Sequence, residues 1–93
     1  MDVTIKYLNK LKKITGKSNE KISIKENSTL EELIIGDICK RYEDISNYMI
    51  NKENSNIDDK IALFVNNEQV KTSYSVILKS NDVITILPPV IGG

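Results

Sequence analysis

One amphipathic stripe limits what this chain can become. Leu30, Leu33, Ile34, Ile38 and Tyr42 recur at three- and four-residue spacing, which winds into a single apolar helix face wide enough to lie across a sheet. Ser28 with Glu31 forms a capping box at its start, with Thr29 and Glu32 as an equivalent pair shifted by one residue, so the helix begins near Thr29. Gly36 weakens it only locally, by roughly 1 kcal/mol against alanine.

The surface that receives the stripe is written in short alternating segments. Val3, Ile5 and Tyr7 alternate with Thr4, Lys6 and Leu8, giving a first strand over Val3 to Leu8 with its core face on the odd positions. Leu11 and Ile14 continue at helical-turn spacing through Asn9 to Thr15, and Gly16, Ser18 and Asn19 supply turn chemistry. Lys21 to Lys25 alternates with Ile22 and Ile24 inward and lysines flanking, which suits an edge strand protected against unwanted pairing. After the helix, Ile45, Tyr48 and Met49 suggest a short helical turn, and Asn51 to Asn56 reads as a mobile loop. Ile61 to Val65 is a third strand. Asn66-Asn67 then makes a tight hairpin into a short strand around Gln69 and Val70, because asparagine tolerates positive φ. Lys79 to Asp82 is a further turn before a final strand from Val83.

Strand parity gives two faces. Val3, Ile5, Tyr7, Ile61, Leu63, Val65, Ile84 and Ile86 face the helix, leaving Leu8, Phe64 and Leu87 on the opposite face of the sheet. Those three form a contiguous docking patch only if the first, third and last strands are neighbours.

The last residues, Pro88-Pro89-Val90-Ile91-Gly92-Gly93, behave differently. Two prolines end a ladder and favour an extended exit, so residues 88–93 are expected as a flexible tail projecting from a domain of residues 1–87. Gly92 and Gly93 have no Cβ and fit a narrow channel where a side chain would clash, delivering a carboxylate.

Composition removes whole classes of function. With 93 residues, 40% hydrophobic and 28% charged, the chain is one ordinary globular domain. One cysteine, Cys39, and no histidine supply neither an internal disulfide nor a metal-ligand set, and Cys39 is assigned no function. The formal net charge of +0 argues against a nucleic-acid partner. Neither a membrane span nor a leader pattern is legible, so a cytoplasmic location without membrane association is expected. The charge is unevenly spread all the same. Lys6, Lys10, Lys12, Lys13, Lys17, Lys21 and Lys25 crowd the first quarter, and acids dominate from Glu26 to Glu68; the plain reading is two solvated faces, the alternative a surface that steers an oppositely charged partner.

The order strand, strand, helix, strand, short strand, strand is consistent with an α+β β-grasp, or ubiquitin-like, domain: a mixed sheet of about five strands packed on one main helix. Leu63 to Glu68, Leu78 to Asp82 and Ile84 to Gly93 resemble the ubiquitin-like sulfur carriers of the MoaD/ThiS family. The closing Pro88-Pro89-Val90-Ile91-Gly92-Gly93 looks most like members that form the small subunit of molybdopterin synthase. Asn67 and Asn81 stand where the family commonly carries glycine, and asparagine can adopt the same backbone.

That resemblance implies a sulfur carrier for dithiolene synthesis, with no catalytic residue and no bound cofactor of its own. Gly93 would be adenylated and converted to a thiocarboxylate by an E1-like adenylyltransferase that uses ATP, with sulfur from a separate donor. Gly92, Ile91, Val90, Pro89 and Pro88 would then enter the active site of the large synthase subunit within a heterotetramer. Alternatives within reach of the same tail are carriers for thiamine synthesis or transfer-RNA thiolation, a ubiquitin-like modifier conjugated through Gly93, and a plain binding module.

Overall fold

The computed structural model describes residues 1–71 and 75–88. Five strands form one mixed sheet in the order β2-β1-β5-β3-β4: β1 is Asp2–Tyr7, β2 Asn19–Ser23, β3 Ala62–Val65, β4 Glu68–Val70 and β5 Val83–Leu87. The first and last strands lie side by side and parallel at the centre, with Ile5 beside Ile84 and Tyr7 beside Ile86. The remaining pairings are antiparallel. Helix α1 (Lys10–Thr15) links β1 to β2. Helix α2 comprises a π-helical stretch, Glu32–Ile38, continued by α-helical Cys39–Arg41, and α3 is Glu43–Met49.

Parity holds across the sheet. Val3, Ile5, Tyr7, Ile22, Leu63, Ile84 and Ile86 are buried against Leu30, Leu33, Ile34 and Ile38 of the helical layer, with Ile45 and Met49 of α3 and Leu11 of α1 closing the ends. Each such aliphatic side chain contributes about 2 kcal/mol when removed from water. Val65, expected among them, is half-buried and packs at the margin of this core.

Several boundaries differ from the sequence reading, each for a local reason. The helix is closed by the shifted capping pair: Thr29 N donates to Glu32 Oε1 and Glu32 N donates to Thr29 Oγ1, both at 3.1 Å. Ser28 instead donates its hydroxyl to Lys25 O at 2.6 Å, closing the turn that precedes the helix. The π-helical stretch left no trace in the apolar spacing. It carries a five-residue step from Cys39 N to Ile34 O around Gly36, a wider turn than the α-helix. An added Cβ at Gly36 would meet nothing within 4 Å, so no close neighbour demands the glycine.

β1 ends at Tyr7 rather than Leu8, because Asn9 turns the chain with φ 53. β2 runs Asn19–Ser23, two residues earlier than its alternation suggested. The Asn51 to Asn56 segment is a hydrogen-bonded turn, with Asn51 N donating to Asn56 O at 2.7 Å beneath an Ile50–Ile57 bridge. Asn66, Asn67 and Asn81 all adopt positive φ, between 52 and 71°, as their turns require.

No helix among the described residues is long and apolar enough to cross a membrane. Thr29→Ala removes one half of the capping pair and should cost about 1 kcal/mol, measured by urea unfolding, whereas Ser28→Ala should cost less than half of that.

Candidate functional site

The geometry around the end of β5 follows from its central position. Flanked by β1 and β3, the strand delivers the chain out of the middle of the sheet, with Leu87 opposite Ala62 and Ile86 opposite Leu63. The two flanking ladders hold its backbone on both sides, so the root of the tail has a fixed position and direction. Pro88, the first residue of the expected tail, is itself buried. Pro89, Val90, Ile91, Gly92 and Gly93, expected to form the inserted tail and its reactive end, lie outside the described residues.

Phe64, Leu87 and Leu8 were expected to share the outer face. Phe64 pairs with Thr85, and Leu87 with Ala62, which makes Phe64 and Leu87 diagonal neighbours on that face. Both are half-buried. Leu8 is 37% exposed, and continuing the β1–β5 register by one residue past Tyr7–Ile86 sets it beside Leu87. Topology therefore brings the three positions to one end of one face, next to the outgoing chain. Lys6 stands in the same layer, paired laterally with Thr85 and Asn19.

A polar cluster that the sequence reading missed lies on the opposite, core-facing side. Glu20 is the register partner of Ile5 and so points inward at the β2 edge. Its Oε1 accepts hydrogen bonds from Tyr7 Oη at 2.8 Å and Tyr42 Oη at 2.9 Å. Lys17 Nζ at 3.1 Å and the Arg41 guanidinium at 3.6 Å pair with its Oε2. The two phenol rings meet edge to face, 6.1 Å between centroids. Burial pushes the Glu20 pKa up, but the hydrogen bonds from Tyr7, Lys17 and Tyr42 and the Lys17 charge outweigh it, leaving the carboxyl below its ordinary value. Burial, followed by donation to Glu20, drives the Tyr7 phenol far above its usual range. Extending the Ile22–Ile24 alternation back by two residues would have put Glu20 on the inner face. The cluster ties the end of α2 to the sheet edge and has the character of a structural clasp.

Cys39 is half-buried, and burial raises its pKa, which holds it as the thiol and away from nucleophilic chemistry. Among the described residues, no three His, Cys, Asp or Glu side chains gather as a metal-binding group.

Comparison with solved structures gives the fold the same assignment. SAMP1 from Haloferax volcanii superposes with a TM-score of 0.86 at 15% identity, covering 100% of both chains. At that identity the likeness shows the fold alone. A putative molybdopterin converting factor subunit 1 from Pyrococcus furiosus matches with a TM-score of 0.77 and 27% identity over 97% of this chain and 99% of that one. A chain of the complex of subunits 1 and 2 of the molybdopterin-converting factor from Helicobacter pylori gives 0.64 and 26%, covering 100% of both. No curated protein is significantly similar in sequence.

Glu20→Gln tests the clasp through pH. Because folding lowers the Glu20 pKa, its contribution is fully present above the ordinary carboxyl value of 4.5 and is lost as pH falls through the lower folded value. The urea midpoint of the wild type should exceed that of Glu20→Gln at pH 7, and the gap should narrow steadily below pH 4.5; a gap independent of pH would contradict the assignment. The family model of the ThiS family matches residues 5–93, and with its ubiquitin-like β-grasp the chain belongs to that family of small sulfur carriers and modifiers.

Proposed function

We propose that this chain is the sulfur carrier of molybdopterin synthesis, loaded at Gly93 and consumed and recharged as a cosubstrate. The observation that carries the reading is the central β5, which fixes the root of a Pro-Pro, Gly-Gly tail at the edge of an apolar outer patch. Two molybdopterin converting factor relatives, at 26–27% identity over nearly the whole chain, are in keeping with this pathway, and CysO chains match at 25–26%.

The chemistry asks little of the carrier itself. A free carboxylate is a poor electrophile. A Gly93 carboxylate oxygen attacks the α-phosphorus of ATP in a partner adenylyltransferase, pyrophosphate leaves, and the acyl-adenylate becomes open to attack. A sulfide-level donor adds at the acyl carbon and AMP departs with the C–O bond pair, leaving a thiocarboxylate. The tail then enters the large synthase subunit, where the sulfur adds to a pterin precursor and hydrolysis returns the carboxylate. Glycine at the last two positions leaves the acyl carbon open on every side. The carrier contributes a rigid anchor, a narrow tail and a docking face made by Leu8, Phe64 and Leu87. Neither metal, base nor nucleophile is required of it.

A ubiquitin-like modifier would use the same adenylate but end in an isopeptide with a lysine. Incubation with ATP, the matching adenylyltransferase and sulfide separates the two. The carrier reading expects a mass gain of about 16 Da, sulfur for oxygen, abolished by deleting Gly93; no gain, with the enzyme active on its own carrier, would overturn it. Leu87→Glu should load normally yet weaken binding to the large synthase subunit by about tenfold or more, since a charge would be desolvated in the interface. Unchanged binding would remove the apolar patch from the docking face.

A further inference from the structure

Beside the apolar patch the outer surface opens into a groove of about 770 Å³ between the end of β1, helix α1 and the start of β2. Lys6, Lys12 and Lys13 line it together with Leu8, Asn9 and Ser18, and no carboxylate is among the lining residues. All three lysines are exposed. Two other lysines nearby are already engaged. Lys17 pairs with Glu20, and Lys10 sits over the Tyr48 ring, 5.4 Å from its centroid. Lys6, Lys12 and Lys13 make no ion pair among the described residues. The fold thus separates Lys17 and Lys10, which brace the domain, from three lysines held open in one concavity.

Position gives the groove a meaning. Lys6 is the lateral neighbour of Thr85 on β5, and Leu8, on the groove's wall, follows Tyr7, which pairs with Ile86. The groove is therefore continuous with the face from which the chain leaves the sheet.

We infer that this lysine groove docks an acidic surface of the adenylyltransferase that receives the tail, steering the encounter before Gly93 enters the active site. The inference rests on the carrier reading and names the chemistry of its partner's surface. An unscreened cationic concavity selects an anionic occupant, and complementary charge acts mainly on the association rate. A neutral chain overall makes a local field the only means of such steering. Nucleic acid is the competing anion. A net charge of +0 and a single short groove, whose one aromatic lining residue, Tyr7, is buried in the core and not open to stacking, favour the protein surface.

The test measures association of the intact chain with its adenylyltransferase by stopped flow, without ATP or sulfide, from about 20 to 300 mM salt. Lys6→Glu/Lys12→Glu/Lys13→Glu is compared with Lys25→Glu/Lys40→Glu/Lys79→Glu, which makes the same net charge change away from the groove. The Lys6→Gln/Lys12→Gln/Lys13→Gln variant isolates the salt dependence. The groove reversal should slow association at low salt by about tenfold or more, the control by less than about twofold, and the Gln variant should flatten the salt slope. Equal rates for the two reversed variants, an unchanged slope, or no measurable binding of the wild type would overturn the inference. So would tighter lysine-dependent binding of bulk transfer RNA than of the enzyme. The sulfur mass gain, read on the same preparations, keeps the two proposals apart: gain with equal rates removes only the groove, whereas absence of gain in the wild type removes the carrier reading.

Discussion

The parallel pairing of β1 and β5 at the centre of the sheet is the constraint on which the remainder depends. Ile5, Ile84 and Ile86 are wholly buried beneath the Leu33, Ile34 and Ile38 face of α2, so the final strand cannot leave the sheet without opening the core. A parallel pair requires a long crossover, and here the crossover comprises nearly everything between the two strands. The last described element is thus also the central strand, and the residues that follow are carried on the most firmly held part of the domain. The exit point thereby becomes a fixed geometric reference for a partner.

Much of the fold was legible because burial on one face obliges the sequence to alternate. The inward residues of β1, β3 and β5, the stripe of α2 and the asparagine turns were all readable, and asparagine does adopt positive φ at Asn67 and Asn81. Other features were hidden for identifiable reasons. Two capping pairs one residue apart are equal on spacing, and only the path of the preceding turn, closed by Ser28 on Lys25, selects Thr29 with Glu32. The π-helical step at Glu32–Ile38 alters backbone bonding more than apolar spacing. Glu20 falls on the inward parity of β2, but a carboxylate on the core side of a strand is tolerated only with partners, and these come from Tyr7, Tyr42, Lys17 and Arg41, scattered through the first half of the chain.

The proposed site rests on a different kind of reading. The reading of Gly93 rests on the chemistry of an unhindered terminal carboxylate, and residues 89–93 lie outside the described part of the molecule. What the fold adds is the setting: Pro88 is buried, Phe64 and Leu87 are neighbours on the outer face with Leu8 just past the end of β1, and an open lysine groove adjoins them. The groove needed three dimensions, since the first quarter of the sequence presents seven lysines without saying which are engaged. The separation of duties is consistent throughout. Glu20 and the helical layer brace the domain, and on the proposed reading the outer face is left for contact and the reactive group for the end of a narrow segment.

The central claim is that the chain works as a sulfur-loaded acyl carrier, and top-down fragmentation of the protein isolated from its own cells tests it most directly. The account predicts a chain ending at Gly93, with an added mass of about 16 Da confined to fragments that contain Gly93. A chain that continues beyond Gly93, or one recovered only as isopeptides on the lysines of other proteins with no sulfur-bearing form, would contradict it.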